Sequence, residues 1–401
     1  MLVDSTSNLT LDAVHYLKEY ARSGLPIIIS GGDPGCYLTR NGHGCTEIHK
    51  GISSLKNEEN VYSISSGGAA AKLRSLGISP RTGVHTNGTW YTTWREDIQN
   101  GTEYAFVFSD GNSSVGDIGI ATKKRPYFFD LWSGETKPVF EYKQEDGKTV
   151  ISLRLAGNQT VVIGFRESED APLIHATQVP ETVQGYEYQD SDTLVHVSSG
   201  AENNPLILST GKTMHSLSKD TISPPFQLTN WGLTVEHWSA PSNLSDASVI
   251  ADKHNTTHNL KSLISWADIP GLANASGIGY YTTSITWPPQ SGSADGAYMI
   301  LPKILHACRL YVNGQLLPPF DYSAPKADLS EYLKAGENEI QVIVPTVMWN
   351  YLRSIFGQIR VSDSPPLLTA MGDKMPGLSD NGLIGTVQVV PYVKLSVGGM
   401  V

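Results

Sequence analysis

Carboxylates are the first residues in this chain whose type and spacing could do chemistry. Paired acids can divide general acid and general base work between them. Glu96-Asp97, Asp130, Glu236, Asp268 and Asp321 qualify by type, yet none stands in a recognisable catalytic motif. Glu236-His237-Trp238 is the most suggestive cluster, a carboxylate beside aromatics. Such clusters are common on sandwich surfaces, so a domain-entry strand is the better account of it. His254 and His258 would share a face only if their stretch were helical. Asn255-Thr256-Thr257 between them reads as a polar loop, and no third ligand is spaced with them. No metal and no cofactor is therefore expected. Gly31-Gly32-Asp33-Pro34-Gly35 invites a phosphate-loop reading, but GxxxxGK, a following Lys and GxGxxG are all missing. Ser65-Ser66-Gly67 has the place of a nucleophile elbow without its GxSxG pattern, and capping of a helix by Ser66 explains it better. The 11 histidines among many serines define no triad by spacing.

The elements that must position such residues divide the chain into four stretches. Residues 1–80 read as α/β. Leu11 to Arg22 is helical, with Thr10 as its N-cap and Gly24 after its end. Met1 to Asp4, Pro26 to Ile29 and Val61 to Ile64 are short strands, and a second helix runs from Gly67 or Gly68 to Leu76. Three strands and two helices are too few for a doubly wound domain covered on both faces, so this reads as a partial α/β domain. Residues 81–179 are β-rich. Runs such as Glu103 to Phe108, Thr149 to Leu155 and Thr160 to Phe165 are separated by Asp110-Gly111, Asp146-Gly147 and Gly157-Asn158, the spacing of a β-sandwich. Asp130 and Glu135 read as strand-end or turn carboxylates there. Residues 180–225 form a connecting segment with weak strand signals at Thr193 to Val197 and Pro205 to Leu208. The last domain covers residues 226–401, with a frayed tail at Gly398-Gly399. Within it, Tyr280 to Trp287 has the period of a half-buried strand. Asn313-Gly314 accepts the positive φ angles of a tight hairpin turn. Asp328 is placed to cap a short helix through Leu333, and Glu339 to Val344 is a further strand.

Several marks fall in order across this last domain. They are Ser265-Trp266, Ser276-Gly277 with Tyr280-Tyr281, Val312-Asn313-Gly314, Asp328-Leu329-Ser330, Gly336-Glu337-Asn338 and Gly382-Leu383-Ile384-Gly385. Together they resemble the sugar-binding domain of glycoside hydrolase family 2, a jelly roll of the galactose-binding type. The preceding segments resemble later domains of large secreted glycosidases, most nearly glycoside hydrolase family 106, whose known activity is α-L-rhamnosidase. LDAVHYLKEYARSGLPIIISGGDPG is similar to the amidotransferase-like domain such enzymes carry after their catalytic barrel. The fold class implied is mainly β: a β-sandwich and a galactose-binding-like jelly roll, preceded by the partial α/β domain. In the family the catalytic centre sits on a barrel placed before these regions, and no such barrel is recognisable here. Glycosidases hold two carboxyls roughly 5–10 Å apart across the bond they cut. The expectation is a C-terminal, non-barrel portion of a glycosidase, inactive alone, whose partner is the missing barrel of the same precursor.

Carbohydrate binding is the more defensible activity for the chain itself. Sugars stack apolar C–H faces on aromatic rings and offer hydroxyls to Asn, Asp and Arg. Trp266, Tyr280, Tyr281, Trp287, Trp349 and Tyr351 lie in the last domain. Half or more of them fill a core, because sandwiches use large rings between their sheets. Trp349-Asn350-Tyr351, expected on a loop after a strand, is the preferred exposed candidate; Trp266 and Tyr281 complete the candidate set.

Composition sets outer bounds. A chain of 401 residues suggests two or three domains. A formal charge of −10 argues against nucleic acid and against anionic membrane surfaces. No apolar run approaches the roughly 20 residues that span a bilayer. Sequons begin at Asn8, Asn87, Asn100, Asn112, Asn158, Asn243, Asn255 and Asn274, and their number favours a secreted, extracellular protein. Met1-Leu2-Val3-Asp4 has no basic region and no long apolar region, so no signal peptide is read here. The two observations agree if the natural precursor is longer. Cys36 and Cys45, close together in a glycine-rich loop, could form a local disulfide; two free thiols are the alternative. Cys308 lies in an apolar strand pattern and reads as a buried small hydrophobe.

Overall fold

The structure, a computed structural model, describes residues 1–37, 45–167, 174–189, 192–200, 204–215, 221–243, 246, 248–358 and 376–399. The chain forms two compact units, Met1–Arg81 and Thr82–Val401.

The first unit has a parallel sheet in the order Leu2–Asp4, Ile27–Ser30, Val61–Ile64. Its central strand, three isoleucines and Ser30, is buried throughout, as expected for a strand covered on both faces. Leu11–Arg22 is a helix whose N-cap Thr10 accepts from the Ala13 amide at 3.1 Å. Val14, Leu17 and Ala21 are its buried stripe. The helix Cys45–Leu55 is absent from the sequence reading. Its stripe is Ile48, Ile52 and Leu55, at the helical period, and Gly51 within it hides the pattern. Gly51 has a packing role: a Cβ there would lie 2.9 Å from Val14 Cγ1 of the neighbouring helix. The third helix is Ala69–Ser75 and its N-cap is Gly68, without a side-chain cap bond. Capping by Ser66 is thus corrected. Cys36 and Cys45 are joined by a disulfide, and Cys308 is a free, buried thiol.

The second unit opens with a β-sandwich. One sheet runs Thr136–Pro138, Arg125–Phe129, Thr160–Arg166, Glu103–Asp110, Thr89–Glu96. The other runs Lys143–Glu145, Lys148–Leu155, Ser114–Ile120, Thr82–Thr86. Strict alternation along Glu103–Asp110 sends Ala105 and Val107 inward against Ile118, Ile151 and Phe165.

A jelly roll of two further sheets follows. The first runs Asp252–Leu260, Trp231–Ser239, Gly277–Trp287, Gly336–Pro345, Arg309–Val312, Gln315–Leu316. The second runs Val183–Gln189, Asp192–Ser198, Val387–Gly399, Gly296–Ile300, Lys326–Asp328, with Phe226–Leu228 also paired to the Val387 strand. Leu233, Val235, Tyr281, Val342 and Val344 of the first sheet pack on Ala297, Met299, Val387 and Val389 of the second. Two strands of the second sheet come from residues 180–225. The last strand completes that sheet beside them, while Leu206–Leu208 and Thr213–Met214 of the same segment form a separate sheet with Ala176–Gln178.

Two local expectations are corrected. Asp328 does not start a helix: its carboxylate accepts from the Ser330 amide at 3.0 Å and makes a turn. The amide and carbonyl of Lys334 are both taken by Asn338, each at 2.8 Å, so they are not free for helix bonds. Residues 252–260 are no loop. They form an edge strand paired along its length with Trp231–Ser239. A polar, threonine-rich sequence suits an edge, which must resist pairing with other chains.

Candidate functional site

The residues named from sequence come to rest in three places. Trp266 is fully buried in a single 3-10 turn, Trp266–Asp268. Its indole Nε1 donates to Tyr281 Oη at 2.7 Å, and that oxygen also accepts from the Leu383 amide at 3.0 Å. Tyr281 is fully buried as well, and burial pushes its hydroxyl up to about 12. Both rings are core, and neither can meet a sugar without unfolding the domain. This corrects their candidacy. Trp349, Asn350 and Tyr351 open a short helix, Trp349–Ser354, and do not lie on a loop. Asn350 is fully buried and exchanges two 2.8 Å hydrogen bonds with the Ser379 backbone. It is a structural clamp, which corrects its candidacy too. Trp349 donates to the Gly377 carbonyl at 2.9 Å, and Tyr351 Oη accepts from the Ala240 amide at 2.6 Å. Both are half-buried and hold chain segments together.

Glu236 and Trp238 lie on a strand of the first jelly-roll sheet. The indole donates to Glu236 at 2.5 Å, and Lys253 pairs with the same oxygen at 3.3 Å. The Trp238 bond and the lysine hold this carboxyl below the usual carboxylate range. His237 stacks on His254 with ring centres 4.4 Å apart. Thr256 Oγ1 sits between His237 Nε2 at 2.8 Å and His258 Nε2 at 3.0 Å. Thr256 thus holds the place between two imidazoles that an ion would need. Among the described residues no group of three or more His, Cys, Asp or Glu could hold a metal. All eight sequon asparagines are exposed.

The strongest concentration of chemistry lies where the sandwich meets the second jelly-roll sheet. His196 is 2% exposed and stacks on Tyr392 with ring centres 4.2 Å apart and planes within 3°. Its Nδ1 lies 2.7 Å from Tyr298 Oη, and Glu187 and Asp328 flank it at 3.5 and 4.0 Å. Tyr392 Oη donates to Asp328 at 3.0 Å. Lys394 pairs with Glu187 at 2.8 Å. Lys326 lies over the Tyr298 ring at 4.1 Å, and burial pushes its amine down to about 8. The strand period explains the gathering: Tyr298 pairs with Asp328, and Tyr392 stands opposite both Ser198 and Gly296.

Beside this network a turn, Asp130 to Glu135, joins two sandwich strands. Asp130 Oδ1 accepts from the Trp132 amide at 2.8 Å and from the Ser133 amide at 3.2 Å. The turn presents Trp132, 41% exposed, against Tyr322 with ring centres 4.4 Å apart. Two hollows of about 330 Å³ each open here, and both are lined by Asp130, Glu135, Phe320 and Lys326. Sequence reasoning passed over Trp132. The available signal was Leu131-Trp132 inside a turn, where two large apolar side chains have no core to fill.

No protein-family model and no curated protein matches the chain. Solved structures do. A rhamnosidase from Novosphingobium sp. PP1Y matches over 97% of this chain and 33% of its own, with 17% identity and a TM-score of 0.58. At that identity the likeness shows the fold alone, and the chain spans a third of the rhamnosidase's length. A β-glucuronidase from an uncultured Clostridium sp. matches over 44% of this chain and 30% of its own, with 16% identity and a TM-score of 0.27. A β-D-mannosidase from Dictyoglomus thermophilum matches over 42% and 23%, with 13% identity and a TM-score of 0.25. Scores that low add nothing to the fold assignment.

Proposed function

We propose that this chain is the non-barrel, C-terminal portion of a secreted α-L-rhamnosidase-like glycosidase related to glycoside hydrolase family 106, acting on plant or microbial glycans. Its domains support a catalytic barrel carried elsewhere in the same precursor and contribute sugar contacts. The likeness to a rhamnosidase along nearly the whole chain is the observation that carries this reading. Glycoside cleavage needs two carboxyls held across one bond. The carboxylates Glu187 and Asp328 are instead engaged by Lys394 and Tyr392. Purified chain is expected to release no phenol from an aryl α-L-rhamnoside beyond a heat-treated control. The same chain expressed in continuity with a family 106 barrel is expected to release it. Clear turnover by the chain alone would overturn this reading.

Secretion is part of the proposal. Eight exposed sequon asparagines and a Cys36–Cys45 bridge suit an oxidising compartment. Routed through a eukaryotic secretory pathway, the chain is expected to lose mass on treatment with an N-glycan amidase. It should then titrate as a single free thiol, Cys308, after unfolding. No mass change would count against secretion.

The second reading is a carbohydrate-binding protein that cleaves nothing. The exposed Trp132 beside two adjoining hollows favours it.

A further inference from the structure

We propose that the paired hollows on either side of Glu135 and Lys326 bind two consecutive units of a neutral glycan, with the Trp132 ring as the stacking platform. The choice of a sugar ligand rests on the glycosidase reading above; the place and the charge preference come from the site itself.

Shape comes first. Each hollow is about 330 Å³, at the lower end of the range for small-molecule sites. Because Asp130, Glu135, Phe320 and Lys326 line both, they form a two-lobed cleft with a shared middle. Two lobes of similar size fit two linked rings better than one rigid ligand.

The platform is preorganised. The Trp132 backbone is fixed by the Asp130 carboxylate, and its ring rests on Tyr322. Tyr322 is fixed in turn by its bond to the Cys308 carbonyl at 3.1 Å. A ring held this way loses little freedom on binding, while its exposed area gains a partner. Asp130 spends Oδ1 on the turn. The Glu135 carboxyl stands on an exposed turn residue and lines both hollows. Both are therefore acceptors for sugar hydroxyls, and Lys326, which lines both hollows and already donates to the Gln184 carbonyl, has further N–H groups to offer.

Charge sets the class of glycan. The two linings together carry six carboxylates, on Asp130, Glu135, Glu187, Asp321, Asp328 and Glu331; Glu187 is paired with Lys394, which leaves five against the two lysines 137 and 326. A uronic acid unit would bring a further negative charge into that field and meet repulsion. A neutral unit pays no such cost.

The test is titration calorimetry of the whole chain with cellobiose, xylobiose, galactobiose and a rhamnose disaccharide, and with digalacturonic acid as the anionic counterpart. At least one neutral disaccharide is expected to bind with a Kd between roughly 10 μM and 10 mM, a weak site by affinity arithmetic. Trp132→Ala is expected to weaken it about tenfold or more, the scale of a lost ring stack, while Trp132→Phe keeps most of it. Circular dichroism of Trp132→Ala should match the parent, and its melting temperature should fall only slightly, through the lost contact with Tyr322. Digalacturonic acid should bind at least about tenfold more weakly. The proposal falls if no neutral disaccharide binds, if Trp132→Ala leaves binding unchanged, or if digalacturonic acid binds as well. Failure of every disaccharide removes this site and leaves the glycosidase-portion reading to the aryl-rhamnoside assay.

Discussion

Trp266→Ala is expected to lower the unfolding free energy of the jelly roll by about 3–5 kcal/mol, the usual cost of emptying an aromatic site in a core. The ring is fully buried, and three partners depend on it. Tyr281 Oη loses the indole donor at 2.7 Å. The Trp266 ring also fills the space beside Gly279 and Gly382, where added Cβ atoms would lie 2.6 and 2.5 Å from it. At Gly382, with φ +93°, no other residue would fit both the backbone and the space. Tyr281→Phe is the control. It removes no ring volume and leaves Trp266 Nε1 and the Leu383 amide without their acceptor, costing about 1–3 kcal/mol. Urea unfolding of both variants and of the pair measures the coupling. A Trp266→Ala cost below about 1 kcal/mol would contradict the core assignment and restore the ring as a ligand contact.

This pair also shows why the jelly roll was legible in sequence. The marks at Trp266, Tyr281 and Gly382 are far apart in the chain and form one contact in space. The same holds for Val312-Asn313-Gly314 and Gly336-Glu337-Asn338. Asn313 and Gly314 take φ of 52° and 78°, as their hairpin turn requires. Asn313 Nδ2 then donates to Asn338 Oδ1 at 2.8 Å. Residue types were fixed there by special geometry, so the pattern could be read. The helix Cys45–Leu55 was missed because a close-packed glycine interrupts a sound apolar stripe. The edge strand Asp252–Leu260 was missed because polarity at an edge imitates a loop. The site fared worst, for a physical reason. Large rings near a sandwich carry the same sequence signal whether they fill a core or face a ligand. Burial separates Trp266 from Trp132, and burial depends on contacts 100 and more residues away, such as Leu383 for Tyr281.

The His196 network leads to a second large effect, a loss of stability in mild acid. His196 is enclosed by Tyr298, Tyr392, Glu187 and Asp328, with Lys394 and Lys137 also in its field. Burial disfavours the imidazolium and outweighs the pull of Asp328 and Glu187, so its pKa falls from 6.5 to about 4. In the unfolded chain it stays at the ordinary value. Above pH 6.5 both states are neutral at this site and stability is at its full value. Between 6.5 and 4 the unfolded chain takes up a proton that the folded chain refuses, so stability falls as pH falls. The slope approaches about 1.4 kcal/mol per pH unit and the total reaches at most about 3 kcal/mol. Below about 4 this contribution levels off. Glu187 adds in the same direction lower down. Burial pushes its carboxyl up, but the Lys394 bond and the nearby charges hold it below its ordinary 4.5 overall. Its share is therefore lost only as pH drops through and below 4.5, which separates it from the histidine's window. His196→Phe keeps a ring against Tyr392 and cannot take a proton. It orphans the Tyr298 hydroxyl, so its stability at neutral pH is expected to be lower by about 1–3 kcal/mol. Between pH 6.5 and 5, however, its melting temperature should decline less than the parent's; what decline remains comes from groups such as His237, whose pKa is lowered by burial and by the neighbouring His254 and His258. An equal decline in both would show that the acid sensitivity lies elsewhere. A smaller decline in the variant than in the parent would assign that share of the acid sensitivity to His196, on the strand Asp192–Ser198 of the second jelly-roll sheet.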